Sequence, residues 1–248
     1  MDTPSSSARF VWHDCLTTDI DSALEFFSEI TDWSVFDQVA PNVGRYPIIK
    51  SMDRAIAGIL EMPQFLQLSG TPPYWTGYVD TNLEHAIEAI PRLGGQMFTM
   101  PTKSPMGTSL VFTDAGGAVL AAYQPSESFV IPSSSRTGEI VWHRLYSSDP
   151  NKSDSFYGTL FDWQISDTSE SFPGVYDSSG LKIADIGEKP TWVDADTWVY
   201  FIAVEDCARA KQTIVDLGGV VIANTEVLGL PAVVAKDAQG GVIGFVDA

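Results

Sequence analysis

The Trp-His step at Trp12-His13 recurs at Trp142-His143, and the likeness continues without a gap: WHDCLTTDIDSALEFFSEITDW (12–33) lies against WHRLYSSDPNKSDSFYGTLFDW (142–163). Trp12, His13, Phe26, Asp32 and Trp33 fall on Trp142, His143, Phe156, Asp162 and Trp163, while Phe27 falls on Tyr157. Tryptophan and histidine are scarce residues, so their agreement in phase over such a stretch marks an internal duplication. A chain of 248 residues divided in this way has room for two cores, each of about 120 residues.

Within each copy the local pattern is strand, then helix. FVWHDCLT has the β-branched and aromatic content of a strand. Asp19 then caps a helix whose apolar residues Ala23, Phe26, Phe27 and Ile30 share one face. The counterpart helix begins around Asp149-Pro150 and presents Phe156, Tyr157 and Leu160. A second strand and helix follow in each half, Tyr74–Gly95 against Trp198–Gly219, both ended by Leu-Gly-Gly. The first of these glycines suits the left-handed position just past a helix, which a side chain would penalise. FTDAGGAVLAAY and AKDAQGGVIGFV then place an Asp-led glycine turn between two strands. With strand candidates such as YPIIK, AIAGILEM and LKIADIG, the order is βαβββ, four times over. The Pro/Ser-rich segment around residues 125–138 reads as a linker, and residues 1–8 as a loose tail.

Charge narrows the range of partners. Fourteen basic residues against 32 acidic give a net charge of −18, which repels nucleic-acid phosphates and anionic lipid heads. A saline environment is one source of such acidity, but charge alone does not establish it. Cys15 and Cys207 form no CxxC motif and read as small buried hydrophobes in a reducing compartment. No apolar run approaches the length of a membrane span, and MDTPSSSARF has neither the basic nor the apolar region of a secretory signal. The expectation is a cytoplasmic chain, monomer or homodimer, with no nucleic-acid or membrane partner.

Four βαβββ motifs with Leu-Gly-Gly and Asp-Ala-x-Gly-Gly endings resemble the vicinal oxygen chelate superfamily, which includes glyoxalases, extradiol dioxygenases and bleomycin-resistance proteins. The resemblance implies an α+β fold in which the four motifs form two paired glyoxalase-like modules, residues 9–124 and 139–248, with U-shaped mixed sheets. It also implies where a metal would be held. Counting from Asp19 and Asp149, the ligand positions of the first strands fall on Trp12 and Trp142; the next fall near Trp75 and Val199, and the last on Ala121 and Gly244. None of these side chains is a suitable donor, so no metal and no other cofactor is expected. His13 and His143 are displaced by one residue and point to the opposite strand face, toward the helix layer or a junction. His85, in LEHAIEAI, completes a set of three histidines with no HxH or HExxH spacing.

Period two places Asp14 beside Trp12 on the inward face, and Arg144 and Tyr146 beside Trp142. Arg144 could grip a carboxylate or phosphate with its fixed fork of donors, and Asp14 could receive an amine or act as a base. The plainer reading of both is a charge pair. Trp12, Trp75 and Trp142, with Trp198 nearby, offer flat surfaces for a planar ligand, or else fill the space a metal would have used. Tyr123 and Tyr200 add phenols on strand candidates, alongside Tyr46 and Glu61. GxSxG, P-loop and dinucleotide-binding motifs are absent. Three functions remain: metal-independent binding of a small aromatic or amphipathic molecule in a Trp-lined cleft; a cofactor-independent lyase or isomerase using Asp14, Arg144 or a tyrosine; and a noncatalytic interaction protein with filled cavities.

Overall fold

The computed structural model describes residues 8–40, 43–126, 137–166 and 171–248. Residues 1–7 of the expected tail and 127–136 of the expected linker lie outside the described residues.

Each quarter of the chain builds a strand, a helix and at least three further strands. The first contains β1 (Phe10–Thr17), α1 (Ile20–Ile30), β2 (Trp33–Phe36), the small hairpin β3 (Val39–Ala40) and β4 (Gly44–Arg45), then β5 (Ile48–Ser51) and β6 (Arg54–Glu61). The short α2 (Gln64–Leu68) leads to the second quarter, with β7 (Tyr74–Asp80), α3 (Leu83–Arg92), β8 (Gln96–Met97), β9 (Thr102–Ser104), β10 (Gly107–Thr113) and β11 (Val119–Pro125). The third holds β12 (Ile140–Ser147), α4 (Pro150–Phe161), β13 (Gln164–Ile165), β14 (Gly174–Tyr176) and β15 (Lys182–Glu188). The fourth holds β16 (Thr197–Val204), α5 (Cys207–Asp216), β17 (Val220–Val227), β18 (Leu230–Lys236) and β19 (Val242–Asp247).

Local chemistry sets these boundaries. Asp19 accepts hydrogen bonds from the amides of Asp21 and Ser22, and Asp149 from that of Lys152, so each satisfies orphan donors at a helix start. Gly94 and Gly218 end α3 and α5 at φ +86° and +82°. In the two aspartate turns, Asp114 Oδ1 accepts from the amides of Gly116 and Ala118, and Asp237 Oδ1 from those of Gln239 and Gly241.

Each sheet stays within one half of the sequence. The first runs β2-β5-β6-β1-β7-β11-β10-β8 with β9 paired to β10; the second runs β13-β14-β15-β12-β16-β19-β18-β17. Both are mixed: β1 pairs with β6, β11 with β7, β12 with β15 and β16 with β19 in parallel, amid antiparallel neighbours. The expected U-shaped curl is not found. Each sheet is open, its order running from one edge strand to another without closing. Two physical features oppose curling. In each sheet one of the two edge strands, β8 or β13, is two residues long and offers too little backbone to pair across an opening. Aromatic rings also occupy the space beside strand glycines: Tyr46 lies against Gly58, Phe172 against Gly187 and Phe201 against Gly244, each so close that a β-carbon would not fit.

Packing divides the chain into two compact units that each draw on both halves. One comprises Met1–Trp12, Gly77–Ser133 and His143–Trp198; the other comprises His13–Thr76, Ser134–Trp142 and Val199–Ala248. Their cores repeat the same constellation. In the first unit Tyr157 meets Trp198 edge-on at 5.5 Å and Trp163 at 5.6 Å, and the indole of Trp163 donates to the carbonyl of Ala8. In the second, Phe27 meets Trp75 edge-on at 5.3 Å and Trp33 at 5.5 Å, and Trp33 donates to the carbonyl of Gly138. Trp75 is therefore the structural counterpart of Trp198, and it packs against the helix layer through Phe27 of α1. Large edge-to-face pairs of this kind contribute beyond the apolar area they bury.

Candidate functional site

The most developed polar arrangement among the sequence candidates surrounds Arg144. On β12, residues 142–147 are all buried, so both faces of the strand are covered, and Trp142, Arg144 and Tyr146 share one of them by period two. The parallel register sets Arg144 opposite Asp185 and Tyr146 opposite Gly187. Arg144 Nε donates to Asp185 Oδ1 at 2.6 Å and Nη2 donates to Oδ2 at 2.8 Å, a bidentate pair with both side chains almost fully buried. The guanidinium also lies 3.7 Å from the centroid of the Phe172 ring. Burial works against the guanidinium's charge, but the bonds to Asp185 and Tyr146 outweigh it, so its pKa is raised. Burial likewise raises the Tyr146 phenol, with Arg144 opposing, and Tyr146 remains protonated at neutral pH.

Two half-exposed aromatics roof this group. Tyr146 meets Trp192 edge-on at 5.0 Å and Phe172 at 5.7 Å. The loop carrying Trp192 is held from within, because Lys189 Nζ donates to the carbonyls of Val193 and Asp194 at 3.0 Å each. Asp185, Phe172 and Trp192 were not singled out from the sequence. A signal for Asp185 exists in its place on the strand LKIADIG that pairs with β12; the two aromatics lie in irregular segments where no period applies.

The remaining candidates are dispersed. Asp14, opposite Gly58 in register, accepts from the Tyr46 hydroxyl at 2.7 Å, so the first half has a carboxylate-phenol pair where the second has an ion pair. Trp12 is half-buried. Tyr123 is buried with its ring edge-on to Tyr78. Tyr200 is fully buried, 5.1 Å from the His13 ring. Arg144 and Tyr146 are thus joined in one cluster, and Asp14, Trp75 and Tyr200 each have surroundings of their own.

His13 and His143 are buried in packing positions, and His85 is exposed on α3. His143 stacks on Phe10 at 3.7 Å and 7°, and its Nδ1 lies 3.1 Å from the Ile183 carbonyl. Burial pushes its pKa down to about 4, with that carbonyl opposing, so the ring is neutral at pH 7. Among the described residues no group of three or more His, Cys, Asp or Glu side chains is placed to hold a metal ion.

A second polar cluster, absent from the sequence candidates, lines a cavity of about 70 Å³ bordered by Asp114, Gly116, Ser147, Lys152, Ser153 and Asp196. Asp196 accepts from Ser147 Oγ and the Ser148 amide, and Asp114 Oδ2 accepts from the Tyr157 hydroxyl, which in turn accepts from Trp198 Nε1. Burial raises the pKa of Asp114; its Tyr157 and backbone bonds oppose this, and the charge of Asp196 adds to it. Ligand pockets run to roughly 300–1,000 Å³. A space this small suits water rather than an organic molecule.

Duplicated βαβββ motifs in two mixed sheets give the chain a fold similar to that of solved glyoxalase and extradiol dioxygenase structures. No family model matches it. The chain is 26% identical over 242 residues to the protein named "Putative glyoxylase CFP32" of Mycobacterium tuberculosis and of Mycobacterium bovis, covering 93% of this chain and 91% of theirs. It is 22% identical over 225 residues to the anthracycline biosynthesis protein DauV of a Streptomyces species, covering 84% of this chain and 81% of that one. Among solved structures, the Mn(II)-bound glyoxalase of Novosphingobium aromaticivorans matches 98% of this chain and 83% of its own, with a TM-score of 0.62 at 12% identity. The 2,3-dioxygenase LapB of Pseudomonas sp. KL28 matches 99% and 94%, again with a TM-score of 0.62 at 12% identity. These structural likenesses concern the fold. No helix among the described residues is long and apolar enough to cross a membrane.

Proposed function

We propose that this chain binds a small aromatic or amphipathic molecule without a metal, and that the molecule stacks on Trp192 and Phe172 above the Arg144–Asp185 pair. The observation that carries this reading is the pair of half-buried aromatics beside a buried ion pair, Phe172 over Arg144 and Trp192 in a loop that Lys189 closes. Aromatic surface left partly open beside oriented polar groups is the usual composition of a small-molecule site. The Streptomyces relative's name ties that protein to anthracyclines, which are planar aromatic compounds, and this adds weight to an aromatic ligand.

The filled-scaffold reading has one specific observation in its favour: in the compact unit that contains Asp14, the rings of Tyr46 and Phe201 take up the room beside Gly58 and Gly244. It applies to that unit. A lyase or isomerase using Asp14 or Arg144 has less support, since Asp14 is bonded to Tyr46 and Arg144 to Asp185.

Calorimetric titration of chelator-treated protein with a planar aromatic series tests the proposal. Binding that persists without metal and is lost in Trp192→Ala is the expected outcome; binding that survives unchanged in that variant places the ligand elsewhere and sinks the reading.

A further inference from the structure

We infer that the Trp192–Phe172 site selects neutral or cationic planar ligands and rejects anionic ones. The inference rests on the proposed function and adds the charge class of the ligand, reversing what an arginine beside aromatics first suggests. An arginine can grip an anion in two ways, through a fork edge or by presenting its face. At Arg144 the edge carrying Nε and Nη2 is committed to both oxygens of Asp185, and one face is covered by Phe172 at 3.7 Å. Tyr146 also acts on the guanidinium, favouring its charged form.

The cation nearest Trp192 in the sequence is committed too. Lys189 spends its ammonium on the carbonyls of Val193 and Asp194, inside the loop that presents Trp192. The ring surface left open here belongs to Phe172 and Trp192, both half-buried, and the exposed carboxylates of Glu188 and Asp194 flank Trp192 in the sequence. An aromatic face attracts a cation through its quadrupole and repels an anion. An incoming anion would also sit above a pair whose charges already cancel, and Asp185 has taken the guanidinium edge that could otherwise repay part of its lost hydration. The net charge of −18 acts in the same direction at long range, but salt screens that contribution while leaving the local commitments intact.

The test uses three probes of one shape: 2-naphthylmethylamine, protonated at neutral pH, 2-naphthylmethanol and 2-naphthoate. Each is titrated calorimetrically into the whole protein at low and at high salt. Expected are binding of the amine and the alcohol, naphthoate weaker than the amine by at least about tenfold at both salt concentrations, and loss of amine and alcohol binding in Trp192→Ala and in Phe172→Ala. Two variants guard against one that fails to fold. Naphthoate binding as tightly as the amine overturns the inference while leaving the binding site standing. A preference that disappears at high salt also overturns it, because the protein's overall charge then accounts for everything. If none of the three binds, the proposed function fails and the inference with it.

Discussion

Phe27 holds, in one compact unit, the place that Tyr157 holds in the other. The exchange of a phenol for a phenyl ring has a visible cost. Trp198 Nε1 donates to the Tyr157 hydroxyl at 3.0 Å, and that hydroxyl donates to Asp114 Oδ2 at 2.8 Å. Phe27 has no hydroxyl, and Trp75 Nε1 is buried without a hydrogen-bond partner among the described residues. Asp237, the turn aspartate matching Asp114, has its pKa raised by burial, with only backbone bonds opposing.

Phe27→Tyr is therefore expected to stabilise the protein, by about 1 kcal/mol if the new hydroxyl joins Trp75 to Asp237. Tyr157→Phe should cost about 1–3 kcal/mol, because it leaves two buried groups short of a partner. Chemical denaturation of both variants decides the matter. A Phe27→Tyr protein that is clearly less stable than the parent would show that the second core lacks room for the oxygen.

Asp196 offers a second comparison between the units. In one, its carboxylate bonds Ser147 and Ser148 and occupies the room beside Gly116. In the other, the equivalent turn position is Gln239, whose side-chain oxygen accepts from Thr17, Thr18 and the Asp19 amide. A neutral amide thus does in one unit what a charged carboxylate does beside Asp114 in the other. Asp196→Asn can keep both bonds, its oxygen accepting from Ser148 and its amide donating to Ser147. Removing the repulsion lowers the folded pKa of Asp114 toward its ordinary value. A carboxylate whose folded pKa is raised destabilises the fold once pH rises above its unfolded pKa, and does not below it. The variant should thus gain stability relative to the parent at pH 7 and gain little near pH 3. Urea midpoints across that range are the check, and a gain that does not depend on pH would contradict the electrostatic account.

The four βαβββ motifs, the aspartate caps and the glycine stops could be read from the sequence, because each depends on contacts within a few residues or on a short period. The duplication too was plain, but its finer alignment was not. Pairing Tyr74 with Trp198 by sequence puts Trp75 opposite Val199, whereas the packing around Phe27 and Tyr157 makes Trp75 the counterpart of Trp198. A shift of one residue along a strand exchanges its faces, and nothing local records it. The open form of the sheets was hidden for a similar reason. Whether a sheet curls depends on edge-strand length and on which rings settle beside Gly58, Gly187 and Gly244, and Tyr46 and Phe172 reach those glycines from loops outside any periodic pattern. At the candidate site, Arg144 and Tyr146 could be picked out by strand period, but Asp185 required the parallel register and Trp192 the loop that Lys189 closes.

His143 makes the stability of the fold depend on pH. Its pKa falls from 6.5 to about 4 on burial, so folding favours the neutral ring. As pH drops below about 6.5 the unfolded chain takes up the proton while the folded chain does not, and stability declines until pH reaches about 4. The full loss across that window is about 3 kcal/mol. His143→Phe preserves the stack on Phe10 and removes the titration. Its unfolding free energy should be lower than the parent's at pH 7, where the bond to Ile183 is missing, yet should fall less steeply between pH 6.5 and 4. Denaturation curves collected across that interval distinguish the two, and parallel slopes would place the proton uptake elsewhere.

Arg144 and Asp185 invite a double-mutant cycle, because a buried ion pair can stabilise one arrangement without adding net stability. Taking either partner alone out of a buried pair leaves an uncompensated charge, and Arg144→Met or Asp185→Leu should each cost about 3–5 kcal/mol. Replacing both by apolar side chains removes the desolvation penalty together with the attraction, and the double variant should fall within about 1 kcal/mol of the parent or exceed it. Phe172 would then lie over a methionine rather than a guanidinium and keep most of its packing. Stability alone would not separate a structural pair from one retained for binding, so the same double variant is titrated with 2-naphthylmethylamine. If the ion pair orients the roof, the double variant folds with near-parental stability and binds the amine at least about tenfold more weakly, since the anchor beneath Phe172 and Tyr146 is gone. Near-parental stability with undiminished binding would assign the pair to packing and leave Trp192 and Phe172 as the whole of the site.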